Sequence, residues 1–308
     1  MAFLNALPGA VAEGLIWGLM AIGVYISYKI LDIADLTVDG SICTGACVCA
    51  VLVTSGMNVI LAVLISFLAG VVTGMVTGFL HTTFGIPAIL AGILTQLMLY
   101  SVNLTILGGK SLVAVDARTN NLLLNMSDNV MAIVTLVGIV AMVIIGLWLF
   151  FYTEIGLTIK STGDNPDMSR AQGVNVNRNK VIGLAISNGI VALAGALLAQ
   201  YKGSANINDG RGAIVIGLAA IFIGLAVSTK IKPNFVVSLI GVIGGGVVYF
   251  SVYSFVILLG LPTDFLKMLS AIIVAIFLAV PYLKNTHFKS KKAVPPIIKN
   301  KDGGDGNA

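Results

Sequence analysis

The sequence predicts an all-α, polytopic membrane protein with about eight to nine transmembrane helices, some of them short or broken. Hydrophobic residues make up 57% of the 308 residues, and charged residues make up only 10%. The mean hydropathy of +1.01 is too high for a soluble domain, whose surface must be polar. Apolar runs of about 20 residues recur, which is typical of helices that cross a bilayer and satisfy their own backbone hydrogen bonds.

Apolar windows along the chain predict nine helices. Two of them, 41–56 and 213–228, are too short for a hydrocarbon core that needs about 20 residues. The first run has no basic stretch before it and no small-residue cleavage site after it, so we assign it to the mature protein. The predicted helices are 11–30, 41–56, 58–80, 86–106, 130–152, 181–200, 213–228, 235–258 and 265–283.

The distribution of basic residues predicts the orientation, because loops rich in Lys and Arg remain in the cytoplasm. With the C-terminus inside and nine crossings, 13 of the 18 Lys and Arg residues lie on the cytoplasmic side. The N-terminus then lies outside, and the 153–180 loop is cytoplasmic. We expect residues 1–289 to form one membrane domain and residues 290–308 to be a disordered cytoplasmic tail.

Two pairs of similar motifs predict an inverted-topology repeat. GIPAIL (Gly85–Leu90) resembles GLPTDFL (Gly260–Leu266), and VDGS (Val38–Ser41) resembles NDGRG (Asn208–Gly212). The offsets of 175 and 170 residues agree closely enough to favour a repeat over chance similarity, which is the alternative. An odd number of crossings between the units would make them antiparallel in the membrane. The predicted units are about 11–106 and 181–283.

Closely spaced glycines predict tight packing between helices. Three of them repeat every four residues in the third predicted helix, and four more crowd the eighth. Small residues at such spacing let helix backbones approach each other, and we expect packing within the chain, with a dimer seam as the alternative. These glycines are Gly70, Gly74, Gly78, Gly241, Gly244, Gly245 and Gly246.

Polar residues around the two short helices indicate a pathway through the membrane. The stretch LDIADLTVDGS carries Asp32, Asp35 and Asp39, and carboxylates at membrane depth are costly and commonly serve a pathway. The alternative is a solvated loop in which Asp39 caps the next helix, and NINDGRG (Asn206–Gly212) allows the same two interpretations. The residues assigned to the translocation pathway are Thr37, Asp39, Gln96, Asn206 and Asp209.

No pattern in the sequence indicates an enzyme. It carries no paired carboxylates, catalytic triad or metal-spaced cluster, and LGGKS (Leu107–Ser111) lacks the first glycine and the preceding strand of a phosphate-binding loop. We therefore expect no catalytic residue, metal site or cofactor in this chain. Cys43, Cys47 and Cys49 share one apolar segment and are interpreted as packing residues. The net charge of +5 requires no nucleic-acid partner, because the basic residues lie in membrane-flanking loops.

The polar stretch GDNPDMSRAQGV predicts a short, well-capped helix between two apolar runs. Its N-P-D sequence offers an N-cap, the preferred first helical residue and an acid that complements the positive helix end. Its R-A-Q-G sequence offers a basic residue near the C-terminal end and a glycine that can close the helix. A helix of about seven residues is unstable alone in water, so the membrane domain or a partner must hold it. The residues that carry this prediction are Asn165, Pro166, Asp167, Arg170 and Gly173.

The segment GLTIKSTGDNPDMSRAQGVNVNRNK (Gly156–Lys180) resembles the coupling-loop signature of ATP-binding-cassette importer permeases, in particular the branched-chain amino acid and simple-sugar permeases. Two further segments, Ala185–Gly203 and Ala34–Ala46, are similar to the same family, and the resemblance covers nearly the whole chain. The DLTVDGS stretch most resembles a less characterised group linked to tryptophan or tyrosine uptake. Asp39 after LTV and the fewer N-terminal helices depart from the simple-sugar permeases and argue against a sugar substrate.

The resemblance implies a permease subunit of a bacterial importer for a small solute. The expected substrate is an amino acid, and the group just described suggests an aromatic one. It implies a second permease copy, a cytoplasmic ATPase dimer that binds the ATP, and an extracytoplasmic solute-binding lipoprotein. A sugar or nucleoside permease is the nearest alternative, a heterodimer is the alternative to a homodimer, and an ion-driven secondary transporter is the rival of a different class. The residues assigned to the ATPase-coupling helix are Gly163, Asp164, Asn165, Pro166, Asp167, Arg170, Ala171 and Gly173.

Overall fold

Helices dominate the computed structural model of this chain, which describes residues 2–115, 122–124, 129–231 and 234–258 and the single positions 268, 271, 272 and 275. The α-helices are α1 (Ala2–Tyr25), α2 (Val38–Thr54), α3 (Val59–Thr82), α4 (Ala88–Ile106), α5 (Asn129–Phe151), α6 (Glu154–Asp164), α7 (Pro166–Ala171), α8 (Val176–Lys202), α9 (Ala213–Ile231) and α10 (Phe235–Leu258). A π-helical turn (Ile26–Ile30) continues α1, and two short strands are β1 (Leu112–Ala114) and β2 (Ser204–Asn206).

Eight of these helices confirm the predicted apolar segments. Six are long and apolar enough to cross a membrane, and two, α2 and the apolar part of α9, are shorter. The predicted all-α polytopic fold, including its short helices, is therefore confirmed. The ninth predicted helix, 265–283, the GLPTDFL motif and the tail lie outside the described residues except at four positions, so the inverted repeat stays a prediction.

Helices α1 and α8 form the centre of the bundle. In their apolar stretches 83% and 78% of the residues are buried, against 28% in α4 and α5. Helix α8 contacts α1, α2 and α3, and α1 also contacts α9 and α10. Helices α4 and α5 lie at the periphery, and large apolar side chains such as Ile89 and Met142 face outward, as expected where lipid or another subunit covers the surface.

Glycines allow α3 to lie directly against α8. A Cβ atom at Gly74 would collide with the Leu184 carbonyl oxygen, and one at Gly70 would collide with the Asn188 carbonyl oxygen. The backbones therefore touch with no room for a side chain between them. In the second group of glycines, Gly245 meets α9 in the same way. The predicted packing within the chain is confirmed at these positions.

The two ends of the bundle carry different connections. The strands β1 and β2 form an antiparallel ribbon, in which Val113 is paired with Ala205, and this ribbon joins the C-terminal ends of α4 and α8. Helices α6 and α7 lie at the opposite end, where Gly163 of α6 contacts the carbonyl of Ile30 in the π-helical turn. The segment between α5 and α8 thus holds two helices, whereas the sequence predicted one.

Replacing a glycine of the α3–α8 contact should destabilise the protein, whereas the same replacement on α5 should not. We expect Gly74→Ala to lower the free energy of unfolding by about 1–3 kcal/mol, because the new methyl group must displace the α8 backbone. The control is Gly138→Ala, since nothing lies within 4 Å of the added atom. Thermal unfolding of the two purified variants in detergent measures the difference, and equal melting temperatures would contradict the packing described.

Candidate functional site

Helix α7 has the capping structure that its sequence predicts. The Asn165 side chain accepts a hydrogen bond from the Met168 amide at 3.0 Å, and Pro166 occupies the first turn. Asp167 also lies in the first turn and Arg170 in the last, where each charge complements the helix dipole. Gly173 has a φ of 82°, the left-handed conformation that closes the helix. Of the other residues assigned to this helix, Ala171 ends α7, whereas Gly163 and Asp164 end the preceding α6.

Helix α7 is fixed to the membrane bundle through α6. The hydroxyls of Ser161 and Ser169 share a hydrogen bond of 2.7 Å that joins α6 to α7. The side-chain Nδ2 of Asn179, at the start of α8, donates to the Thr162 hydroxyl of α6 at 3.0 Å. Together with the close approach of Gly163 to the π-helical turn, these bonds hold a helix that could not persist alone.

Most of α7 faces outward. Ser169 is buried against α6, and the other residues of α7 are exposed. Met168 keeps 60% of its surface, and the side chains of Asp167 and Arg170 form a 3.5 Å ion pair on the outside. Such an exposed ion pair contributes little to stability. The helix therefore presents one large apolar side chain, that of Met168, and two charges on a rigid support.

The second part of the site is the meeting point of the short helices α2 and α9. Ser41 in the first turn of α2 donates to the Asn188 side chain at 2.7 Å, near the middle of α8, so α2 begins inside the bundle. Asp39 accepts hydrogen bonds from the amides of Gly212 and Ile214 at the start of α9, both at 2.9 Å. The two helices therefore begin side by side, at a depth where helix ends need protein partners.

The partner of Asp39 corrects one interpretation from the sequence. Asp39 does not cap α2, because the N-cap of that helix is Thr37 and no side chain bonds its first amides. Its carboxylate caps α9 instead, a helix that begins more than 170 residues later. One negative charge thus lies between the positive N-terminal ends of two helices, the arrangement that helix dipoles favour.

Cys43 tightens the same junction. Its Sγ atom accepts a hydrogen bond from the Gly210 amide at 3.1 Å and donates to the Ile207 carbonyl at 3.3 Å. A Cβ atom at Gly210 would collide with the Asp39 carbonyl oxygen, so the β2–α9 segment (residues 207–212) lies directly on α2. All three cysteines are buried, in agreement with their interpretation as packing residues.

A buried polar network lies below this junction, and the sequence analysis did not identify it. Asp35 is buried, and its carboxylate accepts from the Thr37 amide at 2.8 Å and from the Asn188 side chain at 2.7 Å. Ser41 bonds to both Asn188 and Thr73, and the hydroxyls of Thr37 and Thr77 share a 2.7 Å hydrogen bond. An Asn inside an apolar helix is the sequence feature that could have indicated Asn188.

A cavity of about 330 Å³, called the central cavity below, lies between the start of α2, α4 and the β2–α9 segment. Two large apolar side chains, Leu97 and Ile207, line it. A second cavity of about 540 Å³ lies on the other side of the β2–α9 segment, and Arg211 lines both. The polar residues that line the central cavity are Asp39, Gln96, Tyr100, Asn103 and Arg211.

The structure brings together only some of the predicted pathway residues. Asp39 and Gln96 line the central cavity. Asn206 and Asp209 lie beside it, and the Asp209 carboxylate accepts from the Asn206 amide at 3.0 Å. Thr37 is buried in the polar network and does not line the cavity. The sequence analysis assigned no role to Tyr100, Asn103 or Arg211. Arg211 lies in the NDGRG motif, but only the fold brings these three side chains to one cavity.

A polytopic helical bundle with two shorter apolar helices that begin side by side at a cavity has the architecture of a membrane transport protein. The chain belongs to the family described as "branched-chain amino acid transport system / permease component", which matches residues 9–280. This family is one of ABC-type permeases, so the resemblance drawn from the sequence is confirmed, and the chain is a multi-pass transport subunit.

Individual relatives agree with this family. The chain is 37% identical over 301 residues to the tyrosine transport system permease protein of Clostridioides difficile, covering 97% of this chain and 99% of the relative. It is 34% identical to the uncharacterized protein RP368 of Rickettsia prowazekii, covering 75% and 81%. The autoinducer 2 import system permease protein LsrC of Yersinia pseudotuberculosis is 29% identical, over 67% of this chain and 58% of the relative. No solved structure matches the chain.

Removing the Asp39 carboxylate should loosen the junction between α2 and α9. We expect Asp39→Ala to lower the free energy of unfolding by about 1–2 kcal/mol, because two amides at the start of α9 lose their acceptors. Asp39→Asn keeps one acceptor oxygen and should have an intermediate effect. Thermal unfolding in detergent and hydrogen exchange at residues 212–214 measure the change. Asp32→Asn, at an exposed position, is the control, and equal effects at Asp32 and Asp39 would refute this role.

Proposed function

We propose that this chain is the membrane-spanning subunit of an ATP-driven importer for an amino acid, with aromatic amino acids such as tyrosine as the expected substrates. In this proposal two copies of the chain form a homodimeric pathway, and an extracytoplasmic lipoprotein delivers the solute. A separate cytoplasmic ATPase dimer binds the ATP and holds α7. The observation that carries the proposal is an exposed, capped helix that is fixed to the bundle at the end opposite the β-ribbon.

The shape of α7 supports docking to a motor protein. Its exposed residues are available to a groove, whereas its buried Ser169 bonds to α6. A displacement applied to α7 would be passed on because α6 contacts both the π-helical turn and α8. A flexible loop at this place would absorb the displacement instead.

The relatives support an amino acid as the substrate. The tyrosine transport permease matches over nearly the full length of both chains, whereas the autoinducer 2 permease matches only 58% of its own length and at lower identity. The alternative of a sugar or nucleoside permease is therefore less well supported than amino acid import. The name of the tyrosine permease describes that protein, and for this chain the substrate is our inference.

The rival of a different class, a secondary transporter driven by an ion gradient, requires carboxylates that bind and release an ion. The Asp39 carboxylate accepts hydrogen bonds from the backbone amides at the start of α9, and the Asp35 carboxylate accepts them from Thr37 and Asn188. Carboxylates with these hydrogen-bond partners are explained by the fold itself. The ABC-type family likewise favours a subunit that is driven by an ATPase.

The orientation that we propose places α7 in the cytoplasm of a bacterial cell and the β-ribbon outside, with the N-terminus outside and the C-terminus inside. This follows from the distribution of Lys and Arg in the sequence. Helices α6 and α7 lie at the end of the bundle where α1 terminates, and the ribbon lies at the other end. The two ends therefore suit contacts with different partners.

A matched pair of variants at Asn165 tests the coupling role. Asn165→Ala removes the cap of α7 and should cost about 1 kcal/mol, a factor of about five in the population of the folded helix. When the permease is reconstituted with its ATPase and receptor, we expect receptor-stimulated ATP hydrolysis to fall about two- to fivefold. Asn165→Asp keeps an acceptor oxygen and should retain full stimulation.

The control for this pair is Lys110→Gln, an exposed substitution between α4 and β1 at the ribbon end. Co-purification of the ATPase with each variant measures assembly separately from hydrolysis. If Asn165→Ala left both assembly and stimulated hydrolysis equal to those of Lys110→Gln, α7 would have no part in coupling.

Cysteine labelling tests the orientation. We expect a membrane-impermeant maleimide to label Lys110→Cys in intact cells and Met168→Cys only in inside-out vesicles, because both side chains are exposed at opposite ends of the bundle. The native protein serves as the background, since Cys43, Cys47 and Cys49 are buried. Labelling of Met168→Cys in intact cells would invert the proposed orientation and place α7 out of reach of a cytoplasmic ATPase.

A further inference from the structure

We propose that the central cavity is a binding site of the permease itself for an α-amino acid with an apolar or aromatic side chain, in which Arg211 binds the carboxylate and Asn103 accepts from the ammonium group. This inference rests on the proposed function as an importer. It adds that side chains of the permease bind the solute at a specific site. Without such a site, the permease would be only a passage for whatever solute the receptor delivers.

The size and lining of the cavity fit such a ligand. Its volume of about 330 Å³ lies within the range of pockets that enclose small molecules. Leu97 and Ile207 give it an apolar part, and Tyr100, which is 44% exposed, offers an aromatic ring to a ligand side chain. Sites for small molecules commonly combine such apolar walls with a few polar groups that fix the orientation.

The charges at the cavity favour a carboxylate. Within the part of the chain that the structure describes, Arg211 forms no ion pair with a carboxylate and its side chain is exposed. Asp39 is engaged by the amides of Gly212 and Ile214, so its charge is balanced by the helix ends. The Arg211 guanidinium is therefore the charged group of this cavity that can bind a ligand. Its planar set of N–H donors has the geometry to form two hydrogen bonds with a carboxylate.

Asn103 supplies the complementary acceptor. It is only 1% exposed, and among the described residues its Oδ1 atom has no hydrogen-bond partner. A buried polar atom without a partner is uncommon, because leaving it unpaired costs about 1–3 kcal/mol. Asn103 and Arg211 line the same cavity, so a zwitterionic ligand can satisfy both once the Asn103 amide group rotates its buried Oδ1 atom toward the cavity. A sugar brings no charge for Arg211.

Binding to the purified full-length permease in detergent, without ATPase or receptor, tests the site. The probes are radiolabelled L-tyrosine, L-tryptophan and L-leucine, each at concentrations up to the millimolar range. Competitors are tyramine, which lacks the carboxylate, 3-(4-hydroxyphenyl)propionate, which lacks the ammonium group, and D-ribose. We expect saturable binding of at least one amino acid, competition at least about tenfold weaker by either analogue, and none by D-ribose. Absence of saturable binding for all three amino acids would overturn the proposal.

Two variants assign the two groups of the ligand. Arg211→Gln should weaken amino acid binding about tenfold or more but leave tyramine binding unchanged, and Arg211→Lys should restore part of the affinity. Asn103→Leu should weaken amino acid binding but leave 3-(4-hydroxyphenyl)propionate binding unchanged. Because Asn103 has no described partner for its Oδ1 atom, Asn103→Leu should not lower the melting temperature. Equal losses for all ligands in either variant would contradict the assignment.

A separate measurement distinguishes this inference from the proposed function. The complete transporter, reconstituted in vesicles with its ATPase and receptor, is assayed for ATP-dependent uptake of the same amino acids. Uptake without any binding to the permease alone would refute the site and leave the importer function intact. Amino acid binding that is unchanged in both variants would refute the roles of Arg211 and Asn103, whether or not the complete transporter takes up the amino acid.

Discussion

The start of two helices inside an apolar bundle is the constraint on which the rest of this structure depends. The first amides of a helix need acceptors, and the interior of a membrane protein offers no bulk water to supply them. Asp39 solves this problem for α9 from a position in the first turn of α2, so that one carboxylate faces two positive helix ends. The contact of Cys43 with Gly210 closes the same junction, and the central cavity lies beside it. The two parts of the chain that meet here therefore cannot adopt this arrangement separately.

The end of the bundle that carries α7 is linked to this junction by successive contacts. Helix α7 bonds to α6, α6 touches the π-helical turn, and the residues after that turn lead directly into α2. A close-packed interior has little free volume around such hydrogen bonds and backbone contacts. A displacement of one contacting segment must therefore shift the segment packed against it. The contacts in order are Ser169 with Ser161, Gly163 with Ile30, Leu31 with Gly183, and Asp35 with Asn188.

Local features of this fold could be predicted from the sequence, and non-local ones could not. Hydropathy identified the spans in the described part, and Asn165, Pro166 and Gly173 identified the caps of α7, because each of these features depends on neighbours in the chain. The acceptor role of Asp39 depends on α9, which the chain reaches only after several crossings, so the sequence offered only a pathway role or a cap of α2 for this residue. The π-helical turn and the three-residue strands carry no period or composition strong enough to indicate them. Helix α6 is amphipathic and is capped by Thr153, a local signal that the sequence analysis did not use. Tyr100, Asn103 and Arg211 converge only in three dimensions.

The engagement of Asp39 also determines the electrostatic character of the site. A free aspartate at this place would make the cavity attractive to cations, but its two oxygens are bonded to the amides of α9. Its charge is thereby offset by the N-terminal ends of α2 and α9, and Arg211 remains as the charge without a described partner. The polarity of the cavity is thus a consequence of how the short helices are capped. A change of the capping residue would alter both the stability of the junction and the charge that a passing solute meets, so the two properties are physically inseparable in this fold.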